Sequence, residues 1–134
     1  MLRDKVYIYY GSRPNWEFLL FQGFVFPGNQ NDFVKLKVEG IPTSDPLNKE
    51  KTELLAKNNL QKPDIRVSKS TVKDELLAYY RISALNSTEI ADEKAVSSIR
   101  SNPVNERNEE EAKQLCAKRL EQQLNAYNTT IEVV

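Results

Sequence analysis

Histidine is absent from this chain, so a histidine general base, a histidine-led triad and a histidine zinc site cannot be built from its residues. One cysteine, Cys116, cannot close an internal disulfide, which points to a reducing compartment and an expected cytoplasmic or nuclear location. Glycine is scarce and scattered at positions 11, 23, 28 and 40, which excludes a glycine-rich phosphate loop. Neither sign of charge is in excess: nineteen Lys and Arg cancel nineteen Asp and Glu. No global field therefore argues for nucleic acid or an anionic membrane. No apolar run reaches membrane-spanning length, and the charged opening Met1-Leu2-Arg3-Asp4-Lys5 lacks a signal core. The 134 residues amount to one domain's worth of chain, able to bury roughly two-thirds of its unfolded surface.

What the chain does have is concentrated in residues 6–26, its densest apolar and aromatic stretch. Val6, Tyr7, Ile8, Tyr9 and Tyr10 are β-branched or aromatic and predict a strand. A strand so apolar needs neighbours that the first five residues cannot supply. Gly11 allows a sharp departure, Pro14 keeps the preceding residue out of the helical region, and Asn15 is placed to cap a helix over 16–22. Glu17 suits the first turn and Gly23 the C-terminal stop, after which residues 24–27 leave as an extended apolar tail.

Further along, Val34, Leu36 and Val38 alternate with Phe33, Lys35 and Lys37, predicting a strand over 32–38 with one dry face. Gly40, Pro42 and Ser44-Asp45-Pro46 make a linker into a helix over 47–58, with Leu47, Lys51, Leu54, Leu55 and Asn58 at helical spacing. Residues 61–68 read as a loop or a short extended piece. Ser70 or Thr71 starts a helix over 72–85 bearing Leu76, Leu77, Tyr80 and Ala84 on one side, and Ser87 caps a shorter one. Residues 97–106 are polar, hold Pro103 and read as a flexible connection. The longest helix is expected over 108–127, with Asn108 and Glu111 at capping-box spacing. Ala112, Leu115, Cys116, Leu120, Leu124 and Tyr127 form its apolar stripe. Strands first and helices afterwards predict an α+β unit running into a helical one.

The string Tyr9-Tyr10-Gly11-Ser12-Arg13-Pro14-Asn15, with Glu17-Phe18 and Gly23-Phe24-Val25, resembles the C-terminal end of a SET methyltransferase domain. The similarity is to the subgroup with a Rubisco-methyltransferase-type substrate-binding domain, and within it to the actin-histidine N-methyltransferases. It continues through Asn31-Asp32, Val34-Lys35-Leu36-Lys37, Ser44-Asp45, Leu47, Asn108-Glu109, Tyr127 and Thr129-Thr130-Ile131-Glu132.

The resemblance implies an α+β fold: residues 1–43 as the terminal strand-turn-helix-strand piece of a SET β-fold, and 44–134 as a partial, mostly helical substrate-binding domain. It implies a fragment, with the Asn-His motif, most of the cofactor pocket and further helices encoded elsewhere. S-adenosyl-L-methionine is the implied cofactor. Tyr10 is the implied active-site tyrosine, beside the target ring and the cofactor. Ile8 walls the target pocket, Arg13 contacts substrate backbone or braces Tyr10, Phe24 packs on the adenine and Gln22 touches cofactor. The actin-histidine enzymes carry serine at the position of Gln22 and often histidine at that of Asn31. The implied partner is a protein substrate, actin first, with the chain a monomer or the complement of a separate SET fragment.

Methyl transfer needs donor and acceptor nitrogen held in line in a dry site, with a phenol and carbonyls orienting the nitrogen. Two other functions stay open: a protein-lysine N-methyltransferase of the same family, and a protein-binding module without catalysis. Each site residue also has a plain structural reading. Tyr10 fits a half-buried strand aromatic, Arg13 a solvated turn, and Phe24, Phe26 and Trp16 a core. Cys116 fits a small core hydrophobe, and residues 109–111 fit acids that complement a helix dipole and hold no metal.

Overall fold

The computed structural model describes residues 8–61, 64–68 and 74–127. Its centre is a helix buried almost all the way round beyond its first turn: in Asp74–Ser83, Leu76, Ala78, Tyr79, Tyr80, Arg81 and Ile82 are all buried. A helix without a wet face must be covered on every side, and its neighbours follow from that requirement. In chain order the described elements are α1 (Asn15–Gln22), β1 (Val34–Lys37), α2 (Asn48–Lys57), β2 (Asp64–Val67), α3 (Asp74–Ser83), α4 (Ser87–Ile90), α5 (Glu93–Ser97) and α6 (Glu106–Asn125). Helix α6 covers one side of α3 with Asn108, Ala112 and Cys116, one turn apart, and α2 covers another with Lys51 and Leu55. Leu36 and Ile65, directly opposite each other on the antiparallel strands, close the core from the sheet side. The fold is α+β and mostly helical, as the order of patterns predicts.

Strand β2 arises in the segment read as a loop or extended piece. Ile65 and Val67 alternate with Asp64 and Arg66, and β1 offers the matching alternation, so pairing supplies what the isolated segment lacks. The sheet therefore joins a strand before residue 44 to one after α2, and the expected separation of strands from helices is not observed. The strand expected over 6–10 is not observed either. Ile8, Tyr9 and Tyr10 have no regular secondary structure, and Val6 and Tyr7 lie outside the described residues, as do Ser70, Thr71 and 128–134. Among the described residues no third strand lies beside this stretch, and an unpaired strand has no ladder to hold it.

Helix starts show how neighbours override local capping. Asn15 is already helical and does not cap α1; Pro14 precedes the helix with no side-chain bond to it. Asn86, not Ser87, caps α4 in a reciprocal box: its Oδ1 accepts from the Glu89 amide at 2.8 Å and its amide donates to Glu89 Oε1 at 3.3 Å. Helix α6 begins two residues earlier than the spacing predicts, because Asn105 and not Asn108 is its cap. Asn105 Oδ1 accepts from the Asn108 amide at 2.8 Å while Asn105 Nδ2 donates to Glu89 Oε2 at 3.2 Å. Asn108 instead points inward, fully buried, and donates to the Arg81 carbonyl at 2.9 Å. Asn105→Ala should cost about 1 kcal/mol of stability by loss of the cap. Urea unfolding read by helical circular dichroism checks it; an unchanged midpoint would remove Asn105 from the cap role.

Lys51 occupies a position in the apolar stripe of α2 and is buried, yet its ammonium is paired. Its Nζ donates to Asp45 Oδ2 at 2.7 Å and to the Ser83 carbonyl at 2.9 Å, tying the start of α2 to the end of α3. The hydrogen bond from Lys51 holds the Asp45 carboxyl below the usual carboxylate range.

Candidate functional site

Two surfaces outside the main core carry the residues of interest. The first is built on α1. Gly23 stops the helix in the left-handed region, at φ 78°, and sends the chain back along it. A knot of side-chain amides then holds the returning loop. Asn15 Nδ2 donates to the Phe26 carbonyl at 3.0 Å, and the Phe26 amide donates to Asn15 Oδ1 at 3.1 Å. Asn29 Nδ2 donates to the Arg13 carbonyl at 2.8 Å and to Asn15 Oδ1 at 3.1 Å. Asp32 Oδ1 accepts from the Asn15 amide at 2.9 Å, so the carboxylate that complements the start of α1 comes from seventeen residues downstream. Sequence reasoning missed this knot; the local signal was only an asparagine beside proline, which reads equally well as a cap.

The returned loop completes an aromatic cluster. Phe24 lies stacked on Phe18 at 5.5 Å with rings 18° apart, and Phe26 meets both edge-on at 5.3 and 5.1 Å. Tyr10 meets Phe24 at 5.7 Å and 62°, also edge-on. Such offset and edge geometries suit the ring quadrupoles. Of the predicted site residues, the structure thus brings Tyr10 and Phe24 into contact. Tyr10 is 43% exposed, and its hydroxyl has no hydrogen-bond partner among the described residues. Ile8 is 73% exposed and outside the cluster. Arg13 lies with Nε 3.8 Å from the position a Cβ would take on Gly11, whose φ of +92° excludes side chains. Gln22 ends α1 with its Oε1 buried and unpartnered.

Around this cluster Trp16, Leu19, Leu20, Phe21 and Val25 are exposed. Of the three side chains expected to be core, Phe24 is half-buried and Phe26 and Trp16 are exposed; the buried ring of the cluster is Phe18.

The second surface is an open cleft of about 1220 Å³ between the inner face of the sheet and the last turns of α6. Val34, Leu36, Val67, Leu120, Leu124 and Tyr127 supply its apolar lining, and the Asn15–Asn29–Asp32 knot forms part of its rim. The α6 stripe therefore divides: Ala112 and Cys116 pack into the core, whereas Leu124 and Tyr127 are 66% and 57% exposed at the cleft. Tyr10, Gln22 and Phe24 do not line it.

Apart from Asp45 before α2, the groups with perturbed protonation belong to α3 and α6. Burial pushes the Tyr80 phenol up to about 12 and raises Tyr79 and the Cys116 thiol. A thiol so buried and raised is an inert core group, in agreement with its place on the stripe. The hydrogen bond from Arg81 lowers Glu109, and that to Glu89 raises Arg107. None of these faces Tyr10. At α1 the described residues place the Tyr10 phenol at the margin of an exposed apolar surface.

The core of α2, α3 and α6 is thus closed by Leu36 and Ile65 of the sheet, with the apolar cleft beside it. Residues 42–133 match the Rubisco LSMT substrate-binding family, and the chain belongs to that family. It is similar to proteins named actin-histidine N-methyltransferase: 34% identical over 90 residues to that of Xenopus tropicalis and 35% over 92 residues to that of Mus musculus. The human protein of that name is 32% identical over 92 residues. These alignments cover 65–66% of this chain and 15% of each relative's length.

The resemblance implies S-adenosyl-L-methionine beside Phe24, whose ring is half-buried in the aromatic cluster. Phe18 stacks on Phe24, and Tyr10 and Phe26 meet it at steep angles. Gln22 Oε1, at the end of α1, is buried without a hydrogen-bond donor among the described residues. The described residues alone do not fit the cofactor.

Proposed function

We propose that this chain is the protein-docking part of an S-adenosyl-L-methionine-dependent protein N-methyltransferase of the actin-histidine type. The observation that carries the proposal is the match of residues 42–133 to a substrate-binding family, joined to the likeness to enzymes named for methylating actin. On this reading residues 44–134 dock the protein substrate, and residues 1–43 present Tyr10, Ile8, Arg13, Gln22 and Phe24 to a catalytic site completed by other residues. The exposed apolar surface around α1 supports that division, because it offers area for a further protein layer. Lysine in place of histidine as the methylated residue is the second reading; Arg13 and Ile8 fit the histidine type. The proposed location is cytoplasmic or nuclear.

For the polypeptide on its own we expect no methyl transfer but measurable binding of monomeric actin. Incubation of the purified chain with actin and methyl-labelled S-adenosyl-L-methionine should leave actin unlabelled. Clear incorporation would show that the described residues suffice for chemistry. Absence of any actin binding by sedimentation or calorimetry would remove the docking assignment.

A further inference from the structure

The register of the sheet separates two faces. Val34, Leu36, Ile65 and Val67 lie on the inner one, and Lys35, Lys37, Asp64 and Arg66 on the outer. On the outer face Lys37 stands directly opposite Asp64, a compensated pair, but Lys35 stands directly opposite Arg66. Like charges facing each other across two strands destabilise a sheet. Neither cation is in an ion pair among the described residues. Each is held over an aromatic ring instead: Lys35 Nζ is 5.9 Å from the centroid of Trp16, and Arg66 Cζ is 4.5 Å from that of Phe33. Ring faces orient a cation without neutralising it, so both charges remain available, and both side chains are exposed.

We infer that this outer face, with Lys35 and Arg66 at its centre and Trp16 and Phe33 beside them, docks an acidic segment of the protein substrate. The inference rests on reading the chain as a protein-docking unit, and it extends that unit across the sheet from β2 to β1 and so into residues 1–43. Charge complementarity selects the occupant: a carboxylate between Lys35 and Arg66 would relieve the repulsion that folding leaves in place. Two cations beside a compensated Lys37–Asp64 pair make a local site, not the extended basic track that a nucleic-acid backbone needs, and the chain has no net positive charge.

Trp16 is the sole tryptophan, so its fluorescence reports occupation of the face. Titrating the full chain with a short Asp/Glu-rich peptide should shift that emission, weaken with added salt, and give no response with the Asn/Gln counterpart. R66E should weaken peptide binding by roughly tenfold or more. It should do so without lowering the thermal midpoint, since it sets opposite charges across the strands, which separates lost docking from lost folding. K118E, at an exposed position of α6, should bind as the parent does. Equal binding by parent and R66E would overturn the inference. So would preference for a single-stranded oligonucleotide or phosphatidylserine vesicles over the peptide. Actin binding that is retained in both parent and R66E would sink this face and leave the docking reading intact. Peptide binding without actin binding would sink actin as the partner and keep the face.

Discussion

Glu109→Ala should lower the stability of the domain by about 3 kcal/mol, more than any exposed ion-pair substitution in the chain. Arg81 lies in α3, its side chain 7% exposed, and Glu109, 14% exposed, meets it with both oxygens: Nε to Oε2 at 2.7 Å and Nη2 to Oε1 at 3.0 Å. Removing the carboxylate strands a buried guanidinium whose remaining side-chain bond is from Nη1 to the Ile99 carbonyl at 3.1 Å. That stranded charge, more than the lost attraction, sets the magnitude. Arg81→Met with Glu109→Leu should recover a substantial part of the loss, because an apolar pair leaves no charge to desolvate.

The pH dependence has a definite sign. Because Arg81 depresses the Glu109 pKa in the folded state, the pair's contribution is fully present above the unfolded carboxyl value of about 4.3. It is lost as pH falls through the lower folded value, so parent and Glu109→Ala should converge in stability on acidification below about pH 4. Urea titrations at neutral and acidic pH measure both effects, and a constant difference across that window would place the stabilisation elsewhere.

Ile99→Ala should cost about 3 kcal/mol, and Ile99→Val about 1. Ile99 is fully buried in the core although it belongs to the polar segment between α5 and α6. Its side chain leaves a void that the surrounding α3 and α6 residues cannot readily fill, since those helices are held by Arg81, Glu109 and Asn108. A shift of several degrees in thermal midpoint is expected for Ile99→Ala, and none for Ser101→Ala in the exposed turn beside it. If Ile99→Ala proves neutral, the segment is not anchored where the structure puts it.

These two effects show what sequence patterns could and could not reveal. The stripes on α2, α3 and α6 were legible, because a long helix with one dry side repeats its apolar residues every three or four positions. Leu55, Leu76 and Ala112 are buried where that spacing puts them. Ile99 was not legible: a single isoleucine among Ser, Arg, Asn and Pro has no period. The caps Asn86 and Asn105 were displaced by one and three residues from the expected ones, since asparagine and serine cap equally well and Glu89 decides between them through space. Of the candidate site, the Tyr10–Phe24 contact is present in the structure, but the Asn15–Asn29–Asp32 knot that returns Phe24 to that position joins residues too far apart in sequence for any local rule.

The sequence by itself determined the class of fold, the buried faces of the principal helices, the stop at Gly23 and the inert character of Cys116, because each follows from periodicity, backbone freedom or residue chemistry within a few positions. Tertiary structure alone decided that residues 64–67 become a strand, that Asn108 turns inward and that Lys35 faces Arg66. Each of these depends on a partner brought from a distant part of the chain, and pairing energies of that kind are invisible until the chain has closed on itself.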